Sequence, residues 1–214
     1  MSKKLIIIRH GESIWNNKKI YTGWANIPLT EKGIKQMKHT GLLLKKNNII
    51  PSIAYHSMQR RSIDSNNILI DNMNININSI ASWRLNERHY GILTGHSKNK
   101  INWKGSYFDI PNTTELKKIN VNMNESNVYN PFFGESYYMT EIRLIPILNE
   151  IKLKLLTENH NILICAHKNI LRVLIRNIEN INMEHVNHIH IPNATPIIYS
   201  FDNNMNIIKK NIII

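Results

Sequence analysis

The chain of 214 residues holds a single cysteine, Cys165, so it can form no internal disulfide and no cysteine-rich metal cluster. Glycine and proline are sparse, at 8 and 7 residues, and no linker rich in Gly, Pro or Ser divides the chain. Long apolar runs are absent as well. The opening MSKKLIIIRHG stops at Arg9 and His10, too soon for a membrane span or a signal-peptide core. We therefore expect a cytoplasmic protein with no membrane partner. Acidic residues number only 15 against 27 Lys and Arg, a formal net charge of +12. Such a balance suits nucleic acid, an anionic membrane or a small phosphorylated substrate. Lys, Asn and Ile are over-used together in segments such as NMNININSI, as a drift in composition would produce, so charge alone selects no partner.

What is present suffices for a core, with 42% hydrophobic and 20% charged residues. The length suits one domain over 1–214, with an irregular excursion at about 91–134 where periodicity fades. Residues 5–8 form a β-branched run that predicts a buried strand. Thr30 is placed to cap a helix bearing Ile34, Met37, Gly41 and Leu44. SIAYHS predicts a second strand ending at Ser57, followed by a helix from about Met58 with Arg61 in its first turn, then a third strand near 79–83. A long helix is expected over 135–156, with an apolar stripe through Tyr138, Ile142, Ile145, Leu148 and Leu155 and a kink at Pro146. NILICA repeats the opening logic, a strand ending at His167 that runs into a helix, and a hairpin turning at 202–204 closes the chain. The alternation predicts an α/β fold, a three-layer sandwich with a mostly parallel central sheet flanked by helices.

In open parallel sheets, functional groups gather beyond the carboxyl ends of the strands, where helix N-termini face anions. Arg9, His10, Ser57, Arg61 and His167 all fall there. A neutral imidazole can attack phosphorus, which makes His10 the candidate nucleophile. Arg9 and Arg61 match a phosphoryl clamp, His167 a hydrogen-bond donor to the transferring group, and Glu87 the acid that protonates the departing oxygen. Plainer readings stand beside these. A histidine at a strand end is ordinarily a satisfied polar group, Glu87 can be a surface ion pair, and Arg60 equals Arg61 by composition. His185, His188 and His190 invite a metal, but strand or turn placement would scatter them and we expect none bound. Cys165 fits a small buried hydrophobe, and the dispersed Trp15, Trp24, Trp83 and Trp103 fit loop packing better than base stacking.

Four motifs appear in order: RHGES at 9–13, TGW at 22–24, LNERHYG at 85–91 and AHKN at 166–169. With PLTEKG at 28–33 and IPNATPIIYSFD at 191–202, the chain resembles the 2,3-bisphosphoglycerate-dependent phosphoglycerate mutases of the histidine phosphatase superfamily over nearly its whole length. RHG alone marks only the superfamily; LNERHYG is narrower. The resemblance implies a phosphoglycerate mutase-like fold and interconversion of 3-phosphoglycerate and 2-phosphoglycerate, with 2,3-bisphosphoglycerate as primer and no metal. It implies His10 as the phosphorylated nucleophile, Glu87 as proton donor and acceptor, and His167 as transition-state stabiliser. Contacts to phosphate and carboxylate carry over to Arg9, Ser13, Asn16, Thr22, Gly23, Arg61, Arg88, Tyr90, Lys98 and Asn169. The neighbours Gly11, Glu12, His89 and Lys168 belong to the same motifs, and Lys104 and Gly105, after Trp103, are carried over as substrate contacts. A homodimer or homotetramer is the implied assembly, with no nucleic-acid partner.

The chain also departs from that pattern. Lys104 and Gly105 follow Trp103 where the family has paired arginines, which weakens one phosphate clamp. Lys168 replaces a family glycine, and a requirement for φ > 0 there would strain its backbone. The chain stops soon after its last strand, where similar enzymes carry a tail over the site. These departures lead us to expect faster hydrolysis of the phosphoenzyme, relative to transfer, than in a relative with the full pattern. Two alternatives stay open: a phosphatase that passes the phosphoryl group from His10 to water, and an inactive relative that binds RNA or another polyanion.

Overall fold

The computed structural model describes residues 3–100, 103, 105, 107–110, 134–158 and 160–214. In chain order these form β1 (Lys3–Arg9), α1 (Ile14–Asn17), α2 (Glu31–Lys46), β2 (Ile53–His56), α3 (Arg60–Met73), β3 (Asn78–Ala81), α4 (Tyr137–Thr157), β4 (Asn161–Ala166), α5 (Lys168–Glu179), β5 (Ile197–Phe201) and β6 (Ile207–Ile212). The strands make one six-stranded sheet in the order β3-β2-β4-β1-β5-β6. Strands β3, β2, β4 and β1 pair in parallel, and β5 runs antiparallel to both β1 and β6. The expected mostly parallel sheet is what forms.

Period-two alternation along the central strands explains the layers. Leu5 and Ile7 of β1, with Ile53, Tyr55, Ile162 and Ile164, face a core shared with α4 and α5. Ile6 and Ile8, with Ala54 and Leu163, face the opposite core, closed by Met37 and Leu44 of α2 and by Leu69 and Met73 of α3. A strand apolar on both faces has to be covered on both, which is why a continuous Ile run sits at the centre. No described helix is long and apolar enough to cross a membrane.

Local signals placed several elements correctly. Thr30 caps α2, its side chain accepting from Gly33 N, and Arg61 lies in the first turn of α3. Others shift. β2 ends at His56, α3 begins at Arg60, and β3 ends at Ala81, with Trp83–Leu85 wound into a 3₁₀ turn. Ile34, expected inside, is exposed. The stripe drawn on α4 is largely the wrong one. Tyr138, Ile142 and Ile145 face outward, while Tyr137, Leu144, Ile147, Leu148, Ile151 and Leu155 enter the core. This helix is apolar on two sides, so a period of 3.6 fits both and spacing cannot choose. It also runs on through Pro146, on its exposed side, where water can satisfy the carbonyl left without a donor. The closing hairpin turns between Phe201 and Ile207, pinned by the Asp202 carboxylate, which accepts from the backbone N–H groups of Asn204 and Asn206.

Candidate active site

Strand register assembles the site. In β1 and β4, Arg9 pairs with Ala166, and in β2 and β4, His56 pairs with Cys165. The next residues put His10 level with His167 on adjacent strands, at roughly the 4.8 Å spacing of neighbouring strands, and Ser57 one residue short of His167 on the other side of β4. His10 N donates to Ala166 O at 3.0 Å, and the rings of His10 and His167 lie 4.9 Å apart. His10 lines a cavity of about 620 Å³, and His167, fully buried, stands beside it without being one of its lining residues.

The His10 ring is fully determined. Its Nδ1 lies 2.7 Å from Gly11 O, and a carbonyl can only accept, so Nδ1 carries the proton and Nε2 keeps a free lone pair. Burial, then the charges of Arg61 and Arg9, hold its pKa well below the ordinary histidine value. His167 is depressed likewise by burial and by Arg61, His10, Arg9 and Arg143. Both imidazoles are thus neutral at pH 7.

Among the described residues, six cations line the cavity, Arg9, Arg61, Arg88, Lys98, Lys168 and Arg172, against one carboxylate, Glu87. Arg61 anchors to Ala25 O and Gly23 O at 2.8 and 2.9 Å; burial brings its pKa down to about 10, which leaves it charged at neutral pH. Arg88 stands among the rings of Tyr137, Trp103 and Tyr90, at 4.2, 4.6 and 5.2 Å. Its buried Nε and Nη1, and Arg9 Nε, find no hydrogen-bond partner among the described residues. Buried unmatched donors of this kind fit an anionic ligand.

Glu87 is clamped from several sides. Its N–H donates to Gln59 Oε1, and its carbonyl accepts from Trp24 Nε1 and from Arg143 Nη2 of α4. One carboxylate oxygen accepts from Arg88 N at 2.8 Å and from Asn169 N, in the first turn of α5, at 3.1 Å. The helix N-terminus thereby holds the carboxylate in place.

The other residues anticipated from sequence divide. Asn16, Thr22, Tyr90 and Asn169 line the cavity. Gly11, Glu12, Ser13, Gly23, His89 and Gly105 do not. Ser13 caps α1, Glu12 bonds Thr30 and Lys32, and Gly23 supplies its carbonyl to Arg61 and Gln59. His89 accepts from Gly91 N and packs against Trp24, and Gly105 lies against the Trp103 indole. All six support the cavity wall from behind, because the motifs carry framework and lining residues alike. Lys104, and the segment from Asn112 to Phe133 considered as a lid, lie outside the described residues.

Lys168 opens α5 with an ordinary negative φ, so the anticipated backbone strain is absent. Burial, then Arg172, Arg9 and Lys98, bring its pKa down to about 8. Cys165 is fully buried, its thiol pushed up to about 12 by burial, which leaves it inert. His185 and His188 pack ring to ring, and no metal-holding group of three or more His, Cys, Asp or Glu occurs among the described residues. Trp103 lines the cavity and Trp24 braces Glu87, so two of the four tryptophans serve the site.

Sequence reasoning missed Tyr21, Trp103, Tyr137, Arg172, Asn187 and His188 as lining residues. A signal existed for Arg172 alone. It follows Lys168 and Asn169 by four and three residues, and so shares their face of α5.

Fold and site together define a protein of the phosphoryl-transferring histidine class, and the family model for the histidine phosphatase superfamily (branch 1) matches residues 5–212. The chain belongs to that superfamily. Among curated relatives, the 2,3-bisphosphoglycerate-dependent phosphoglycerate mutase of Buchnera aphidicola subsp. Cinara cedri is 39% identical, with 94% of each chain covered. The enzyme named 2,3-bisphosphoglycerate-dependent phosphoglycerate mutase 2 from Lactobacillus johnsonii is 34% identical, over 98% of this chain and 97% of its own. Among solved structures, a putative alpha-ribazole-5'-P phosphatase from Escherichia coli superposes with a TM-score of 0.74 at 18% identity, covering 100% of this chain and 96% of its own. Mycobacterial hydrolase 1 gives 0.73 at 19%, covering 100% and 98%. At such identities the structures establish the fold alone.

Proposed function

We propose that the protein interconverts 3-phosphoglycerate and 2-phosphoglycerate through a phosphohistidine at His10, primed by 2,3-bisphosphoglycerate. The observation that carries this reading is the bare Nε2 of a neutral His10 facing a cavity in which, among the described residues, six cations outnumber one carboxylate. The mutase names of relatives that match over nearly the full length support the same substrate.

In this mechanism Nε2 attacks the phosphorus of the primer, a P–N bond forms, and the ester P–O bond breaks. Glu87 gives its proton to the departing oxygen. Arg9 and Arg61 neutralise the charge spread over the equatorial oxygens, and His167 donates a hydrogen bond to one of them. For the return, Glu87 takes the proton of the glycerate hydroxyl that attacks the phosphohistidine. Attack by the 2-hydroxyl of 3-phosphoglycerate regenerates the bisphosphate, and its 3-phosphoryl group can then pass to His10. The product is 2-phosphoglycerate. Arg88, in its aromatic cage, would hold the second anionic group. No step uses a metal ion.

The test combines labelling with turnover in a chelator. After exposure to 2,3-bisphosphoglycerate, alkaline mass spectrometry should find one acid-labile phosphoryl group on His10. His10→Ala should abolish turnover, and His167→Ala should lose roughly 10²–10³ in kcat, the scale of one transition-state donor. Label elsewhere, or none in an active preparation, would remove the central claim. Free phosphate in place of 2-phosphoglycerate would instead make water the acceptor.

A further inference from the structure

We propose that Ser57 is a positioning residue that fixes the tautomer of His167, so that this imidazole presents Nδ1–H to the transferring phosphoryl group. The role assigned to that N–H rests on the phosphohistidine reading above; the tautomer itself does not.

Ser57 and His167 are both fully buried, and Ser57 Oγ lies 2.6 Å from His167 Nε2. Distance alone does not say which atom donates. The surroundings do. Ser57 Oγ also accepts from the backbone N–H of Gln59 at 3.2 Å. That amide occupies one lone pair, and the hydroxyl has a single proton to place. The imidazole nitrogen is its only acceptor among the described residues, so the hydroxyl donates its hydrogen bond to His167 Nε2. A neutral ring that accepts at Nε2 carries its proton at Nδ1. His167 Nδ1 is buried and has no hydrogen-bond partner among the described residues. The depressed pKa of this ring, set by burial and four neighbouring positive or imidazole groups, argues against a second proton.

The hydroxyl is held in place by further bonds. Ser57 N donates to Ser62 Oγ at 3.2 Å, and Ser62 Oγ donates to Cys165 O at 2.7 Å. Ser62 thus ties the end of β2 to β4 from α3. The two histidines consequently hold the same Nδ1–H tautomer but use it in opposite ways. His10 spends its Nδ1–H on Gly11 O and keeps Nε2 bare, whereas His167 accepts a hydrogen bond at Nε2 and keeps its Nδ1–H unspent. One ring supplies a lone pair and the other a donor, with centroids 4.9 Å apart. Phosphoryl transfer to a histidine needs this division, since two bare nitrogens would repel the same oxygens.

The experiment uses the ¹⁵N-labelled full chain, without ligand, and reads the His167 tautomer from two-bond ¹H–¹⁵N correlations, with His167→Gln to assign the ring. The native chain should show His167 protonated at Nδ1 and bare at Nε2. Ser57→Ala should move the ring toward the Nε2–H form, because the Gln59 amide cannot substitute for the hydroxyl. In turnover it should lower kcat by at least about tenfold, within the roughly 10²–10³ set by loss of the donor. KM should stay nearly unchanged. Ser57→Thr, which keeps the hydroxyl, should restore both tautomer and rate. An Nε2–H tautomer in the native chain overturns the proposal, and that measurement does not depend on Ser57→Ala folding. So does retention of Nδ1–H in Ser57→Ala. The expected tautomers in a protein that does not turn over phosphoglycerate would sustain the positioning role and reject the proposed function.

Discussion

Lys168 adds a lysine to the cations that line the cavity, and its chemistry gives a pH signature. Burial and three neighbouring cations bring its pKa to about 8, so in the free protein it is charged below that value and neutral above it. A bound phosphate would favour the charged form and raise that pKa. The effect should therefore appear in kcat/KM, which reports the free enzyme, and not in kcat. We expect kcat/KM for phosphoglycerate to fall as pH rises through 8, and Lys168→Met to remove that limb. At pH 7 the variant should show KM raised roughly tenfold, the equivalent of one charge-assisted contact of about 1.5 kcal/mol. An unchanged pH limb in Lys168→Met would place the titration on another group. His10, Glu87 and His167 could be picked out in sequence because they sit in motifs whose residue types suit phosphoryl transfer. The aromatic wall could not. Tyr21, Trp103 and Tyr137 come from distant parts of the chain, and nothing local distinguishes a ring that cages Arg88 from one that packs a loop.

At the scale of elements, α2 and the loop after β1 meet backbone to backbone. A Cβ added at Gly33 would lie 2.1 Å from Glu12 O, and one at Gly11 2.4 Å from Gly33 O. Neither obstacle is a side chain that can rotate away. Gly33→Ala must therefore displace residues 11–13 and with them the ring of His10. We predict a stability loss of about 2–3 kcal/mol, seen as a Tm lowered by roughly 4–12 °C, together with a marked fall in kcat. Gly41→Ala supplies the control. Its Cβ would meet Leu69 O of α3 at 2.6 Å, a comparable clash two turns further along the same helix. It should lower Tm similarly and leave kcat within about twofold. Equal losses of activity in both variants would mean that destabilisation alone, and not displacement of His10, accounts for the effect. Most elements were visible in the pattern, since runs of Ile and a capping Thr are local signals. The buried face of α4 was not, because apolar residues occupy two of its sides and only the sheet decides which is covered.

The whole molecule carries a net charge of +12, and two origins compete for it: attraction of an anionic substrate, or a drift in composition that scatters lysines everywhere. The three-layer sandwich was legible from strand and helix alternation, but where charge gathers in space is not, and the structure separates two populations. Six cations converge on the cavity at the carboxyl ends of β1 and β4. Others, such as Lys45 and Lys46, end α2, whose first turn packs beside the His10 loop. Along a helix of 16 residues these two lie about 22 Å from that loop. The screening length is about 8 Å at physiological ionic strength. At that salt, charges on the far end are screened from the cavity mouth, whereas the cavity cations meet the substrate inside low-dielectric walls that focus their field. We predict that kcat/KM for phosphoglycerate falls steeply between low salt and 0.5 M salt. The double substitution Lys45→Gln, Lys46→Gln should leave kcat/KM at about 0.15 M salt within twofold. Lys98→Gln, inside the cavity, should lower it and flatten the salt dependence. If the distal pair mattered as much as Lys98, the field of the whole surface would be steering the substrate, and the excess of lysine would have a function beyond the site.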